Sequence, residues 1–194
     1  EGHSNYVLKR ASQDGMQKFA DISIVISKYA WESTWSSDGK YIAFVDDDLR
    51  VRVVDLEAGT IKTVGTGGIN IERGNMGLTW SPDSKWLAFS KSGENNFKRI
   101  MVWSLQSNST TALTNSFADA FSPVWDSDGK HLYFLASTNI ALGSGWTNTS
   151  SMSASPEYST YIVNLNSTDS SPFKLRSDEE EKEEKSDESE SKSK

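Results

Sequence analysis

A ten-residue stretch, Trp80-Ser81-Pro82-Asp83-Ser84-Lys85-Trp86-Leu87-Ala88-Phe89, occurs three times in this chain. The other copies are Trp35-Ser36-Ser37-Asp38-Gly39-Lys40-Tyr41-Ile42-Ala43-Phe44 and Trp125-Asp126-Ser127-Asp128-Gly129-Lys130-His131-Leu132-Tyr133-Phe134. The three Trp residues lie 45 positions apart, and each copy keeps Trp, an Asp three later, a Lys five later and a Phe nine later. A fixed period of this size marks an array of equivalent supersecondary units, and about 40–45 residues is the length of one propeller blade. The period therefore points to an architecture and to no particular reaction.

Within each copy the residues suit a hairpin. Pro82 supplies the φ near −65° that the second position of a tight turn needs, and the neighbouring Asp bonds backbone. Gly39 and Gly129 follow, where a left-handed residue closes a short loop into a bulge. Ser84 at that place is a poor choice by the same reasoning. After the turn, Tyr41–Val45, Trp86–Phe89 and His131–Leu135 are almost wholly apolar, as strands covered on both faces are. A further strand follows in each unit: Leu49–Leu56, Ile100–Leu105 and Tyr161–Leu165. Ile61–Val64 and Thr110–Thr114 then alternate polar and apolar, as an outer strand with one exposed side should.

The expected fold is all-β, with propeller blades of four antiparallel strands: about three blades plus part of a preceding one. The expected units are 1–29 (partial blade), 30–74, 75–119, 120–176 and an acidic disordered linker or tail at 177–194. In the first unit Tyr6-Val7-Leu8 and Ile22–Ile26 read as strands, with Gln13-Asp14-Gly15 as a turn. In the third repeat Trp125 to Leu165 spans 40 positions where Trp80 to Leu105 spans 25. The difference is a polar insert at roughly 141–157, which carries Trp146 and Met152 and reads as a surface excursion. Because a closed propeller needs at least about four blades, the isolated chain is expected to expose an apolar blade face and to self-associate or lose stability.

Charge and composition exclude several functions. The net charge of −7 is concentrated at the C-terminal end, where Ser177–Lys194 holds nine acidic residues against four Lys. A nearly neutral remainder gives no footprint for nucleic acid or an anionic membrane. The chain has no Cys, so thiolate metal sites, disulfides and a Cys nucleophile are out. No apolar run approaches the ~20 residues that span a bilayer. The chain opens on Glu1 with no basic-then-apolar leader, as a start within a longer protein would.

The chemistry-bearing residues are few. His131 takes the place of Tyr41 and Trp86 in its repeat, and reads as a packed strand residue rather than a base or ligand. His3 has no readable context, and neither His is accompanied in sequence by a nucleophile and an orienting group. Asp46-Asp47-Asp48 reads as solvated turn residues rather than a calcium site, which needs six or more spaced oxygens. Gly65-Thr66-Gly67-Gly68 follows an outer strand without a helix after it, and reads as an inter-blade loop rather than a phosphate cradle. The Trp and Phe residues at the repeat period, Trp35 included, read as blade core. Asn108, Asn148 and Asn166 begin Asn-x-Ser/Thr triplets, a pattern that chance explains equally well here. The expected sites are thus catalytic none, cofactor none and metal none.

The repeat resembles that of TolB-like and tricorn-type propellers rather than the Gly-His…Trp-Asp type. Leu78–Lys91 followed by Ile100–Leu105 looks like a late blade of the tricorn protease family. Phe121–Ser137 resembles the last blade of that family's second, seven-bladed propeller. Ser171-Pro172-Phe173, with Ser177-Asp178-Glu179-Glu180 beyond, is similar to the exit toward the peptidase half. The resemblance covers roughly residues 35–180. It implies a non-catalytic propeller portion of a serine peptidase (a hydrolase acting in proteolysis) that gates or guides peptides to a catalytic domain beyond this segment. It also implies partnership with peptide substrates or the peptidase domains, a homo-oligomeric full-length protein and a cytoplasmic location, with periplasmic or exported locations left open. The alternatives are a TolB-like protein-binding scaffold and the propeller of a prolyl-oligopeptidase-type serine peptidase.

Overall fold

A computed structural model describes residues 6–11, 14, 16, 20–26, 28–67, 75–95, 97–138, 157–169 and 171–173. His3, Asn148, Trp146, Met152 and the acidic segment 177–194 lie outside these residues, as does nearly all of the 141–157 insert. The chain divides into two compact units, Glu1–Val163 and Asn164–Lys194. Every described element of the first unit is a strand: β1 Tyr6–Arg10, β2 Ala20–Ile26, β3 Ala30–Trp35, β4 Tyr41–Asp46, β5 Arg50–Asp55, β6 Thr60–Thr66, β7 Thr79–Trp80, β8 Trp86–Ser92, β9 Lys98–Ser104, β10 Ser109–Ala112, β11 Asp119–Trp125, β12 His131–Ser137 and β13 Ser159–Asn164. In the second unit Asn164 Nδ2 donates to the Asp169 carbonyl at 2.8 Å across a tight turn.

The strands form antiparallel meanders in sequence order, β1–β2, β3–β4–β5–β6, β7–β8–β9–β10 and β11–β12, and β13 lies beside β12. From β3 to β6, from β7 to β10 and from β11 to β12 short connections force this, because neighbouring strands joined by a few residues can only pair antiparallel. First strands β3, β7 and β11 lie beside one another, and so do the fourth strands β6 and β10. The sheets therefore stack face to face in chain order, as propeller blades do, and the described sheets do not close into a ring. In the third sheet three strands are described rather than four.

The core sits between sheets. Ala43, Val45, Val51 and Val53 of the first sheet pack with Leu87, Phe89, Trp80 and Trp103 of the second. Ala88 and Ile100, on the other face of the second sheet, meet Ala120, Leu132 and Phe134 of the third. Residues on alternate sides of one strand thus serve two different interfaces, which is why Ile42–Val45 of β4 and Leu87–Phe89 of β8 are apolar without interruption.

Three expectations need correction. Trp35 is not core: it is 50% exposed, while Trp80 at the same repeat position is 7% exposed. Trp80 stacks on Tyr41 of the preceding sheet at 5.9 Å, and the Trp125 Nε1–H donates to the Thr79 carbonyl of its preceding sheet at 3.1 Å. Trp35 would need a preceding inner hairpin, and the two described strands before it, β1 and β2, cover Ile42, Phe44 and Val54 instead. Second, Gly65 and Thr66 belong to strand β6 rather than to a loop. Gly65 is required there because an added Cβ would lie 2.6 Å from the Phe89 ring of the next sheet. Third, Asp46 is not a solvated turn residue, as described below.

Candidate functional site

The repeated motif builds the same turn three times. In the first, the Ser36 hydroxyl donates to Asp38 Oδ1 at 2.6 Å, and the Tyr41 and Lys40 amides donate to Ser36 Oγ and Asp38 Oδ1 at 2.9 and 3.1 Å. In the second, Ser81, Asp83, Lys85 and Trp86 repeat these bonds at 2.6, 3.1 and 3.0 Å. The Ser36 hydroxyl, ahead of smaller help from the Lys40 amide, holds the Asp38 carboxyl below its usual range. Burial pushes Asp83 up, but the Ser81 hydroxyl with the Lys85 amide and ammonium outweighs it, so Asp83 is also lowered. These carboxylates are thus turn locks, which explains the Asp at a fixed place in each copy.

Ser84 owes its place to the neighbouring sheet. Its φ of +60° matches Gly39 (+71°) and Gly129 (+72°), a region that costs a side-chain-bearing residue about 1–2 kcal/mol. Yet Ser84 is 3% exposed, and its Oγ accepts the Asp38 amide of the preceding turn at 2.9 Å. One such bond contributes about 0.5–1.5 kcal/mol and offsets the strain. Ser84→Gly removes both and should stay within about 0.5 kcal/mol of the parent in urea unfolding, whereas Ser84→Ala keeps the strain without the bond and should cost about 1–2 kcal/mol. A larger loss for the glycine variant than for the alanine variant would overturn this account.

The third copy replaces Ser by Asp126 and the aromatic by His131. The backbone turn is unchanged, with Gly129 N–H to Asp126 O at 3.0 Å and Lys130 N–H to Asp128 Oδ1 at 2.8 Å. A carboxylate cannot donate to Asp128 as the serines do, and Asp126 Oδ2 instead faces His131 Nδ1 at 3.2 Å, with Asp128 Oδ1 at 3.9 Å. Sequence inspection missed this pairing, although the joint change of the second and seventh positions of the motif was its signal. The three groups offer ligand atoms within 4.8 Å of one another. A metal-bound imidazole, however, donates its other N–H to an acceptor, and His131 Nε2 is buried with no partner among the described residues. That same nitrogen would have to meet a nucleophile in a catalytic dyad. The geometry fits a His–Asp lock that takes over from the Ser–Asp lock.

A second charged cluster lies at the opposite ends of β4 and β5. Asp46 is 1% exposed. Its Oδ1 accepts the Asp48 and Arg50 amides at 3.1 Å each, and its Oδ2 accepts Arg50 Nε and Nη2 at 2.9 and 2.8 Å. Arg52 Nη1 approaches to 3.8 Å, and Asp48 adds a 2.9 Å contact to Arg50. The hydrogen bond to Asp46, then the charges of Asp46 and Asp48, raise the Arg50 pKa above its ordinary value against burial. Asp47 is exposed, so the three consecutive Asp residues have three different environments. This arrangement closes a hairpin with cations and leaves no six-oxygen cage for calcium.

Between sheets the Glu32 carboxylate accepts the Met76 and Leu78 amides at 2.8 Å each, clamping β3 to the entry of β7. Among the described residues, no helix is long and apolar enough to cross a membrane.

No family model matches the chain. Over 104 residues it is 33% identical to Tricorn protease homolog 1 of Streptomyces coelicolor, an overlap of 53% of this chain and 9% of that protein. It is 26% identical over 115 residues to the Tricorn protease of Thermoplasma volcanium, covering 54% of this chain and 10% of the relative. The chain thus spans about a tenth of the length of these relatives. The crystal structure of the tricorn protease superposes on 92% of this chain and 18% of its own, with a TM-score of 0.65 and 17% identity. About half the chain is therefore similar in sequence to tricorn proteases, and its sheets have a fold found in the tricorn protease structure.

Proposed function

We propose that this chain is a non-catalytic propeller portion of a tricorn-like serine peptidase, one that gates or guides peptide substrates toward a catalytic domain elsewhere in the whole protein. The observation that carries this reading is the 33% identity over 104 residues to Tricorn protease homolog 1, and the sheets stacked in blade order agree with it. First strands β3, β7 and β11 lie beside one another; β3 exposes Ser33 and Trp35 and β11 exposes Ser122 and Val124, while Thr79 and Trp80 of β7 between them are covered. The blades of this reading are 30–74, 75–119 and 120–176, with part of another at 1–29 and an acidic linker at 177–194. The peptidase domains of the whole protein, its homo-oligomeric assembly and a cytoplasmic location belong to the same proposal.

The test uses short, unstructured, uncharged peptides with both ends blocked and a fluorescent label. Anisotropy should rise on titration with the 194-residue chain, while mass spectrometry finds the peptides intact. No binding to any peptide, or cleavage by the pure chain, would count against the reading.

A further inference from the structure

The period that aligns the three motif Trp residues also aligns Asp46 with Lys91, 45 positions later. In the first sheet Asp46 ends β4 and is ion-paired to Arg50, which begins β5, across the hairpin. In the second sheet Lys91 stands directly opposite Arg99 in the β8–β9 register. One cross-strand place therefore holds an anion and a cation in one sheet, and two cations in the next. Directly opposed residues share a face with Cβ atoms about 4.5–5.5 Å apart, where like charges repel and destabilise the sheet.

Nothing described relieves that repulsion. Both side chains are half-buried, and among the described residues neither has a carboxylate partner. The Arg99 Nε–H donates to the Thr114 carbonyl at 3.1 Å, which pins the stem while leaving the two terminal nitrogens unassigned. Lys98 points to the other face, 5.4 Å above the Phe121 ring. Of the nearby acids, Glu94 is exposed on the hairpin, and Asp119 already accepts the Lys98 amide at 2.7 Å and faces the Tyr158 hydroxyl at 3.5 Å. Two half-buried cations set opposite one another on one face, one of them a guanidinium fork, match a planar carboxylate.

We propose that Lys91 and Arg99 form an oxyanion site that takes a carboxylate of a peptide ligand, in the place that Asp46 fills internally one sheet earlier. The carboxylate comes from an acidic side chain or from a free C-terminus. This site stands apart from the guiding role proposed above, which concerns the exposed residues of β3 and β11.

Four probes are titrated into the full chain by calorimetry: a glutamate-rich peptide blocked at both ends, a neutral peptide with a free C-terminal carboxylate, the amide of that neutral peptide, and inorganic phosphate. At least one of the two carboxylate-bearing peptides should bind more tightly than the amide and phosphate, and which one binds identifies the source of the carboxylate. Binding should weaken as salt is added. The decisive variant is Lys91→Asp, which rebuilds the Asp46–Arg50 pairing. It should lower affinity by about tenfold or more while raising Tm, since an ion pair replaces a repulsion. Unchanged binding by Lys91→Asp, a lowered Tm, or equal binding of the amide would overturn the site, and a preference for phosphate would overturn the peptide assignment. Binding of uncharged blocked peptides that is indifferent to Lys91→Asp would retain the guiding role and remove this site.

Discussion

Trp80→Ala should cost about 3–5 kcal/mol, the range for truncating a buried large aromatic, while Trp35→Ala should change stability by no more than about 1 kcal/mol, as exposed positions do. The two residues occupy the same place in the same motif. Trp80 lies against Tyr41 at 5.9 Å and edge-on to Trp103 at 6.2 Å, so its loss opens a void between two sheets. Its indole N–H has no hydrogen-bond partner among the described residues, so the stabilisation comes from contact and burial rather than from a polar bond. A domain of this kind has a total stability of about 5–15 kcal/mol, and Trp80→Ala consumes much of it. Urea unfolding followed by near-ultraviolet circular dichroism reads both variants. Equal losses for Trp35→Ala and Trp80→Ala would show that an inner hairpin covers Trp35 in solution.

Asp46→Ala should be comparably damaging, at about 3–5 kcal/mol, because removing one partner of a buried ion pair leaves the other charge uncompensated. The carboxylate is 1% exposed and takes two amides and one guanidinium fork. Arg52 Nε is itself buried without a partner among the described residues, so the cluster has little spare acceptor capacity. Asp46→Asn keeps an oxygen for the amides but loses the charge facing Arg50 and Arg52, and should fall between the parent and the alanine variant. Added salt should restore little, since screening acts weakly on a buried pair. A loss below about 1 kcal/mol for Asp46→Ala would mean that water reaches Arg50 and replaces the carboxylate, as at exposed ion pairs.

Much of the local structure was legible because the motif acts locally. Ser, Asp and Gly or Ser within five residues close a turn by their own hydrogen bonds, and the apolar run after it becomes a strand wherever it occurs. Strands β4, β8 and β12, and the third strands β5 and β9, accordingly fall where the residue pattern puts them. His131 was legible as a packed residue, being 7% exposed, but its Asp126 partner was not sought, because in the other copies the same position carries a hydroxyl. The candidate sites were less legible for one recurring reason. Asp46 looks like any turn Asp until two arginines from the next strand enclose it, and Lys91 looks like any surface Lys until Arg99 is set opposite.

By itself the sequence determined the unit: a 45-residue repeat, its turn, its buried strands and its antiparallel order, all consequences of short-range geometry. Only the tertiary structure decided what each copy of the unit does. It left Trp35 open and buried Trp80, turned the strained Ser84 into an inter-sheet acceptor, and placed opposite charges across one hairpin and like charges across the next. The physical reason is that burial and charge compensation depend on the sheet stacked alongside, and the repeat period carries no information about which neighbour a given copy will meet.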